Sequence, residues 1–250
     1  MSGTGEQCYR ARLAATCDDV KAAQRLRQRC FGGPHTPGAE GDQFDAICQH
    51  LLVEEQKTGR LVSCCRLLRL ASGAEIGKCY SAQYYELSGL QRFDAPMLEV
   101  GRFCIDANLR DADILRVAWG ALARFVDQQG VRMLFGCSSF RGTDLRSYQG
   151  AFALLQARHL APKRWRPGVR DPNVVRFSQV APETSDERQA AAKIPPLLRS
   201  YLAMGGWVSD HAVVDAEMNS LHVFTGLEIA AIPAARARLL RAAAGTSAMA

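Results

Sequence analysis

The chain has 250 residues, of which 48% are hydrophobic and 22% charged, with a formal net charge of +6. The length is ample for a real core and the mix is that of an ordinary globular protein. The excess of positive charge favours acidic partners, but no RNP-like, zinc-finger or helix-turn-helix pattern accompanies it, so nucleic-acid binding is not indicated.

The nine cysteines form no C-x-x-C pair, which argues against both a disulfide framework and a zinc site. The N-terminus carries no apolar run of signal-peptide length, and no stretch approaches the roughly 18 apolar residues a membrane span needs. A soluble, cytosolic protein is expected.

In chain order, "YRARLA" (9–14) predicts a short strand. "DDVKAAQRLRQRCF" (18–31) has helical spacing, with Val20, Ala23, Leu26 and Cys30 on one side and Asp18 as the N-cap. "GGPHTPGAEGD" (32–42) reads as a loop. "AICQHLLVEE" (46–55) and "RLVSCCRLLRL" (60–70) read as a hairpin, with Cys64 and Cys65 as reduced core residues. After a further loop, "MLEVGRFCID" (97–106) reads as a buried strand, although Glu99 and Arg102 flank Gly101 within it. "DADILRVAWGALARFVDQQG" (111–130) predicts the clearest helix, with an apolar stripe of Ile114, Val117, Ala121, Phe125 and Val126.

Further on, "VRMLFGCSSF" (131–140) predicts a strand and "DLRSYQGAFALLQARH" (144–159) a helix. "APKRWRPGVRDPNVVRF" is a basic loop and strand. "PPLLRSYLAMGG" is a short helix with Pro at its start and Gly at its end. "WVSDHAVVDAEM" and "SLHVFTGLEIAAI" read as a closing pair of strands. The succession predicts a layered α/β fold on a mixed sheet. It is read as one domain over 1–232, followed by a basic tail over 233–250 that is helical and then partly disordered.

The charges inside apolar runs carry the chemistry. A β-bulge at Gly101 would bring Glu99 and Arg102 to one side of the strand and open a gap in the ladder, where backbone N–H groups could meet a ligand. The alternatives are a buried structural ion pair, or Glu99 at a strand edge facing water. Glu40, Asp42 and Asp45 form a solvated acidic loop, a helix N-cap or a pocket for a cationic amine. Arg27 and Arg66 lie in apolar surroundings and need partners, and these acids are the available ones.

The pattern Arg27-x-x-x-Phe31, Glu40-x-Asp42-x-x-Asp45, Arg66, Glu99-x-x-Arg102 resembles the acyl-homoserine-lactone (autoinducer) synthases. "FDAICQHLLV", "LEVGRFCID", "LFGCSSFRGTD", "HLAPKRWRPG", "IPPLLRSYLAMGGWVSDHAVVD" and "HVFTGLEI", in order from about residue 20 to 230, resemble a sister group, the bacterial L-ornithine N-alpha-acyltransferases of ornithine-lipid synthesis. The loop 32–39 departs from the autoinducer pattern and lacks its aromatic residue.

The resemblance implies a GNAT-like acyl-CoA N-acyltransferase fold, with a mixed, mostly antiparallel sheet, a bulged central strand and flanking helices. It implies transfer of a 3-hydroxyacyl chain from acyl carrier protein to the α-amine of L-ornithine, giving lyso-ornithine lipid. Glu99 would be the general base, and Arg102 would orient it or hold the substrate carboxylate. Glu40, Asp42 and Asp45, with Arg27, Phe31 and Arg66, would bind the ornithine side chain or order the loop. Ser138 and Ser139 would contact the pantetheine arm or the thioester carbonyl.

The donor would be the acyl-phosphopantetheine of acyl carrier protein, with no bound cofactor and no metal. "NLRDADIL" keeps Arg110, but it lacks the glycines of a pyrophosphate-binding turn and adds Asp111 and Asp113. Lys163, Arg164, Arg166 and Arg170, with Arg158, would form the docking patch for the acidic carrier protein. Arg236, Arg238 and Arg241 would either touch the inner face of an anionic membrane or only solubilise the tail. An autoinducer synthase using S-adenosylmethionine and a non-catalytic carrier-protein or membrane-binding module are the alternatives.

Other motifs lead elsewhere. Cys104 and Cys137 lack a recognisable base partner and read as inert. "HAVVD" (211–215) lacks the neighbouring His and trailing Gly of His-x-x-x-Asp acyltransferases. His50, His159 and His222 have no metal-ligand spacing. "GCSSFRGTD" is not Gly-x-Ser-x-Gly, so a serine hydrolase is not indicated.

Overall fold

The computed structural model describes residues 8–32, 40–180 and 186–245. The departing loop, apart from Gly32, and the last five residues of the tail lie outside that range. The elements run β1 (Tyr9–Leu13), α1 (Cys17–Phe31), β2 (Gln49–Glu55), β3 (Leu61–Leu70), β4 (Tyr85–Glu86), β5 (Met97–Ile105), α2 (Ala112–Gln128) and β6 (Met133–Arg141). They continue with α3 (Gln149–Arg158), β7 (Gly168–Val169), β8 (Val174–Arg176), α4 (Glu187–Lys193), α5 (Pro196–Ala203), β9 (Trp207–Asp215), β10 (Ser220–Glu228) and α6 (Ala234–Gly245).

Local chemistry explains most boundaries. α1 is capped by Thr16, not Asp18: the Thr16 hydroxyl accepts from the Asp19 N–H at 3.1 Å, and the Asp19 carboxylate accepts from the Thr16 N–H at 3.2 Å. Asp18 is left to pair with Lys21 on the surface. The helix expected over 144–159 opens instead with a 3-10 turn, Leu145–Tyr148. The stretch 71–96, read as loop, holds three short 3-10 helices, Gly73–Lys78, Tyr80–Gln83 and Ser88–Arg92, as well as β4.

The chain divides into two compact units. The first comprises the described residues up to Leu68, Val100–Gly130, and the chain from Ala234 on. In it β1, β2 and β3 form an antiparallel ladder, with His50 opposite Arg66. β3 also bonds the C-terminal half of β5: Asp106 N–H donates to the Val62 carbonyl at 2.8 Å, and Ser63 Oγ to the Cys104 carbonyl at 2.7 Å. Ala23, Leu26, Leu52, Cys64 and Cys104 make a core against which Phe31 packs. α2 buries the whole expected stripe, and α6 lies against α2, with Arg241 Nε on Asp127 at 3.0 Å.

The second unit comprises Arg69–Glu99 and Val131–Pro233. The N-terminal third of β5 runs parallel to β6 through Met97↔Met133, Leu98↔Leu134 and Glu99↔Phe135. From there the order β6-β10-β9-β8 is antiparallel throughout, with a register shift between Val223 and Thr225. The result is a mixed, mostly antiparallel sheet. β4 and β7 form a separate small pair.

The distortion of β5 sits at Arg102, whose φ of 50° is in the left-handed region. Gly101, the expected bulge residue, does not use the freedom that made it the candidate.

Candidate active site

In the second unit, side chains alternate across the sheet, so Glu99, its register partner Phe135, and Cys137 and Ser139 farther along β6 share one face. His222 and Phe224 of β10 and His211 of β9 lie on that face too. Residues 79–86 cover it.

Glu99 is buried, 4% exposed. Its Oε2 accepts from Tyr80 N–H at 2.9 Å, and its Oε1 accepts from Ser81 N–H at 2.8 Å and Ser81 Oγ at 2.6 Å. The 3-10 turn Tyr80–Gln83 has no side-chain cap of its own at Cys79, so Glu99 supplies the anion at its N-terminus from a different element. Burial, followed by the charge of Glu99, pushes the Cys79 thiol far above its ordinary range. Ser81 Oγ also lies 3.5 Å from Cys137 Sγ. Beyond it, Tyr85 OH donates to the His222 carbonyl at 2.8 Å and lies 3.1 Å from His222 Nδ1, while burial raises the phenol well above its usual pKa.

The two serines expected to act together point to opposite faces. Ser139 is exposed on the Glu99 face, whereas Ser138 is buried on the other, where Thr225 Oγ1 donates to its Oγ at 2.9 Å. Ser138 thus faces away from Glu99, as strand alternation requires.

In the first unit, three guanidiniums meet three carboxylates. Arg27, with no exposed surface, places Nη1 and Nη2 on the two oxygens of Asp45 at 2.7 and 2.6 Å and Nε 2.5 Å from Glu40 Oε2. Arg66 Nη1 bonds Asp42 and lies 3.3 Å from Asp45 Oδ1, with its guanidinium 5.7 Å from the Phe44 ring centroid. Arg102 Nε bonds Glu40 Oε1 at 2.6 Å, and its Nη2 is 3.5 Å from Asp42. Burial pushes the Asp45 carboxyl up. Hydrogen bonds from Arg27 and Gln24 and the charges of Arg27 and Arg66 outweigh that and hold it well below the carboxylate range. His50, beside them, is lowered by burial and by the two arginines.

The expected pairing of Arg27 and Arg66 with these acids is thus met. The cluster is neutral in formal charge, so it offers a cationic amine no net attraction. Of the three acids Asp42 is the most open, with 26% of its side chain exposed against 14% for Glu40 and 8% for Asp45. Phe31 is half-buried core packing.

The basic stretch is mixed in character. Lys163 and Arg170 are exposed. Arg164 lies 3.3 Å from Glu228 and over the Trp165 ring at 5.0 Å, and Arg166 donates to the Ala161 carbonyl at 3.1 Å. At the start of α2, Asp111 Oδ1 accepts from Asp113 N–H at 2.9 Å, and Oδ2 accepts from Tyr9 OH at 3.0 Å. A carboxylate already fills the place where a helix N-terminus would hold phosphate.

Sequence reasoning missed Tyr80 and Ser81. Two donors on Glu99 are backbone amides, which leave no side-chain signature. The one available signal was a turn, "CYSAQ", that starts without a capping residue.

The mixed sheet with its flanking helices agrees with the comparisons. The model of the acetyltransferase (GNAT) domain matches residues 26–120. A CoA-dependent acyl-homoserine lactone synthase superposes with a TM-score of 0.52 at 13% identity, covering 96% of this chain and 92% of that one, a likeness of fold. The protein is a GNAT-type acyltransferase.

Among curated proteins, the chain is 36% identical over 229 residues to the L-ornithine N(α)-acyltransferase of Rhodobacter capsulatus, covering 86% of this chain and 88% of that one. It is 29% identical over 241 residues to the enzyme of the same name from Rhizobium meliloti, covering 88% and 80%. The chain belongs to the L-ornithine N(α)-acyltransferase family.

Proposed function

We propose that the protein moves a 3-hydroxyacyl chain from the phosphopantetheine thioester of acyl carrier protein to the α-amino group of L-ornithine, giving lyso-ornithine lipid. The observation that carries this reading is the 36% identity, across most of both chains, to a relative named for ornithine acylation.

The chemistry asks little of the enzyme beyond positioning and one proton. The thioester is already activated, so the amine attacks its carbonyl, a C–N bond forms, the C–S bond breaks and the pantetheine thiol leaves. The amine must first be neutral, and an α-amino group with a reference pKa near 8 is mostly protonated at neutral pH. Glu99 accepts that proton, directly or through a water. Arg102, tied to Glu40 and Asp42, orders the 40–46 segment together with Arg27 and Arg66.

The capped start of α2 supports a donor presented on a carrier protein over free coenzyme A, because Asp111 and Asp113 would repel a pyrophosphate. Lys163 and Arg170 are assigned to the carrier protein. No helix among the described residues is long and apolar enough to cross a membrane. A cytoplasmic enzyme would release its lipid product at the membrane face, and α6, with exposed Arg236, Arg238 and Leu239, is assigned a peripheral contact there.

The test is mass spectrometry of a reaction holding purified protein, 3-hydroxyacyl carrier protein and equal ornithine, lysine and S-adenosylmethionine. A single acyl-ornithine product is expected. An acyl-lysine or lactone product would move the acceptor assignment. A carrier protein still fully loaded would overturn the reading in favour of a binding module.

A further inference from the structure

The donors around Glu99 are not equivalent. The amides of Tyr80 and Ser81 can only donate, so they suit the ionised carboxylate and oppose its taking a proton. Ser81 Oγ, 2.6 Å from Glu99 Oε1, is a hydroxyl that can donate or accept. It also lies 3.5 Å from Cys137 Sγ, a contact in which either atom can be the donor. Ser81 has no exposed surface, so water does not substitute for it.

We infer that Ser81 is a positioning residue that serves both protonation states of Glu99. Before transfer its hydroxyl donates to the carboxylate. When Glu99 takes the proton from the ornithine ammonium, the new carboxylic O–H donates to Ser81 Oγ, whose own hydrogen turns to Cys137 Sγ. One proton moves from nitrogen to Glu99, and the second change is a rotation that breaks one hydrogen bond and makes two. Without this exchange, Glu99 would take up its proton with the serine hydroxyl, as well as both amides, still donating to it. The inference rests on the acyl-transfer reading above and deepens it.

The experiment measures kcat and KM for ornithine, with 3-hydroxyacyl carrier protein, in Ser81→Ala, Ser81→Thr, Cys137→Ala and Cys137→Ser, with melting temperatures alongside. Ser81→Ala should lose about tenfold or more in kcat while KM stays within about twofold, and Ser81→Thr should recover most of the loss. Cys137→Ser keeps a partner for the turned hydroxyl and should exceed Cys137→Ala in kcat. A wild-type kcat in Ser81→Ala, a loss confined to KM, or a threonine no better than alanine overturns the inference. If Ser81→Ala does not fold, the Cys137 pair decides, since Cys137→Ser and Cys137→Ala with equal kcat overturn it as well. The wild-type control separates the two failures. Activity only with another amine overturns the ornithine assignment, and the variants are then compared on that amine. No activity with any amine overturns both.

Discussion

Arg27 has no exposed surface, and its guanidinium is spread over both oxygens of Asp45 and one of Glu40. Removing one partner of such a pair leaves an uncompensated buried charge, so Asp45→Asn should cost about 3–5 kcal/mol in denaturant unfolding at pH 7. The pH dependence has a definite sign. The folded carboxyl sits below its unfolded value, so its contribution is complete above the unfolded carboxylate pKa of about 4 and fades as pH falls toward the folded one. The gap between wild type and Asp45→Asn should therefore narrow from pH 5 to pH 3; a constant gap would refute this account. Glu99→Gln turns an NH2 group toward amide donors and removes the base. A drop of about 10²-fold or more in kcat is expected, read by acyl-ornithine formation. The arginine–acid cluster was legible in the sequence, because a guanidinium in an apolar run demands a counter-charge and few were near. That demand does not say whether the acids still serve a substrate, and here geometry shows them already engaged by arginines.

At the scale of elements, α1 depends on a reciprocal cap. Thr16→Ala should lower unfolding free energy by about 1 kcal/mol, seen as an earlier urea midpoint with unchanged slope. α6 gives a paired prediction. Arg241→Ala removes an exposed ion pair and should change stability by less than about 1 kcal/mol. Ending the chain after Pro233 uncovers α2 and should lower the melting temperature well beyond that variant. Equal effects would mean that the ion pair, not the packing, holds the helix. Long periodic elements such as α2 were readable because their apolar stripe repeats over four turns. The 71–96 stretch was not, since 3-10 turns of four to six residues are too short to show a period. β5 was readable as a buried strand, but its irregularity fell on Arg102 instead of the neighbouring glycine, where ties to Glu40 and Asp42 hold a conformation the backbone alone disfavours.

For the whole molecule, the assignment of an acidic carrier protein makes an electrostatic prediction. Lys163→Glu with Arg170→Glu should raise KM for the acyl carrier protein several-fold while leaving KM for ornithine unchanged, and added salt should shrink the difference. A salt-independent change would point to misfolding of the 163–170 segment. Docking surfaces of this kind are the least legible part of any sequence: Arg164 and Arg166 looked like Lys163 and Arg170, yet the first is committed to Glu228 and Trp165 and the second to a backbone carbonyl.

The path of the chain between its two units bears on how the protein is made. The first unit is left after Leu68, rejoined at Val100, left again after Gly130 and completed only from Ala234. A ribosome emits these pieces in that order, so the helix that covers α2 appears only after the whole of the second unit. Until then the growing chain holds an α2 surface with its partner still unmade, while the Val131–Pro233 stretch can already build the β6-β10-β9-β8 sheet. Synthesis therefore favours the second unit closing first, with the first completed only once α6 joins α2.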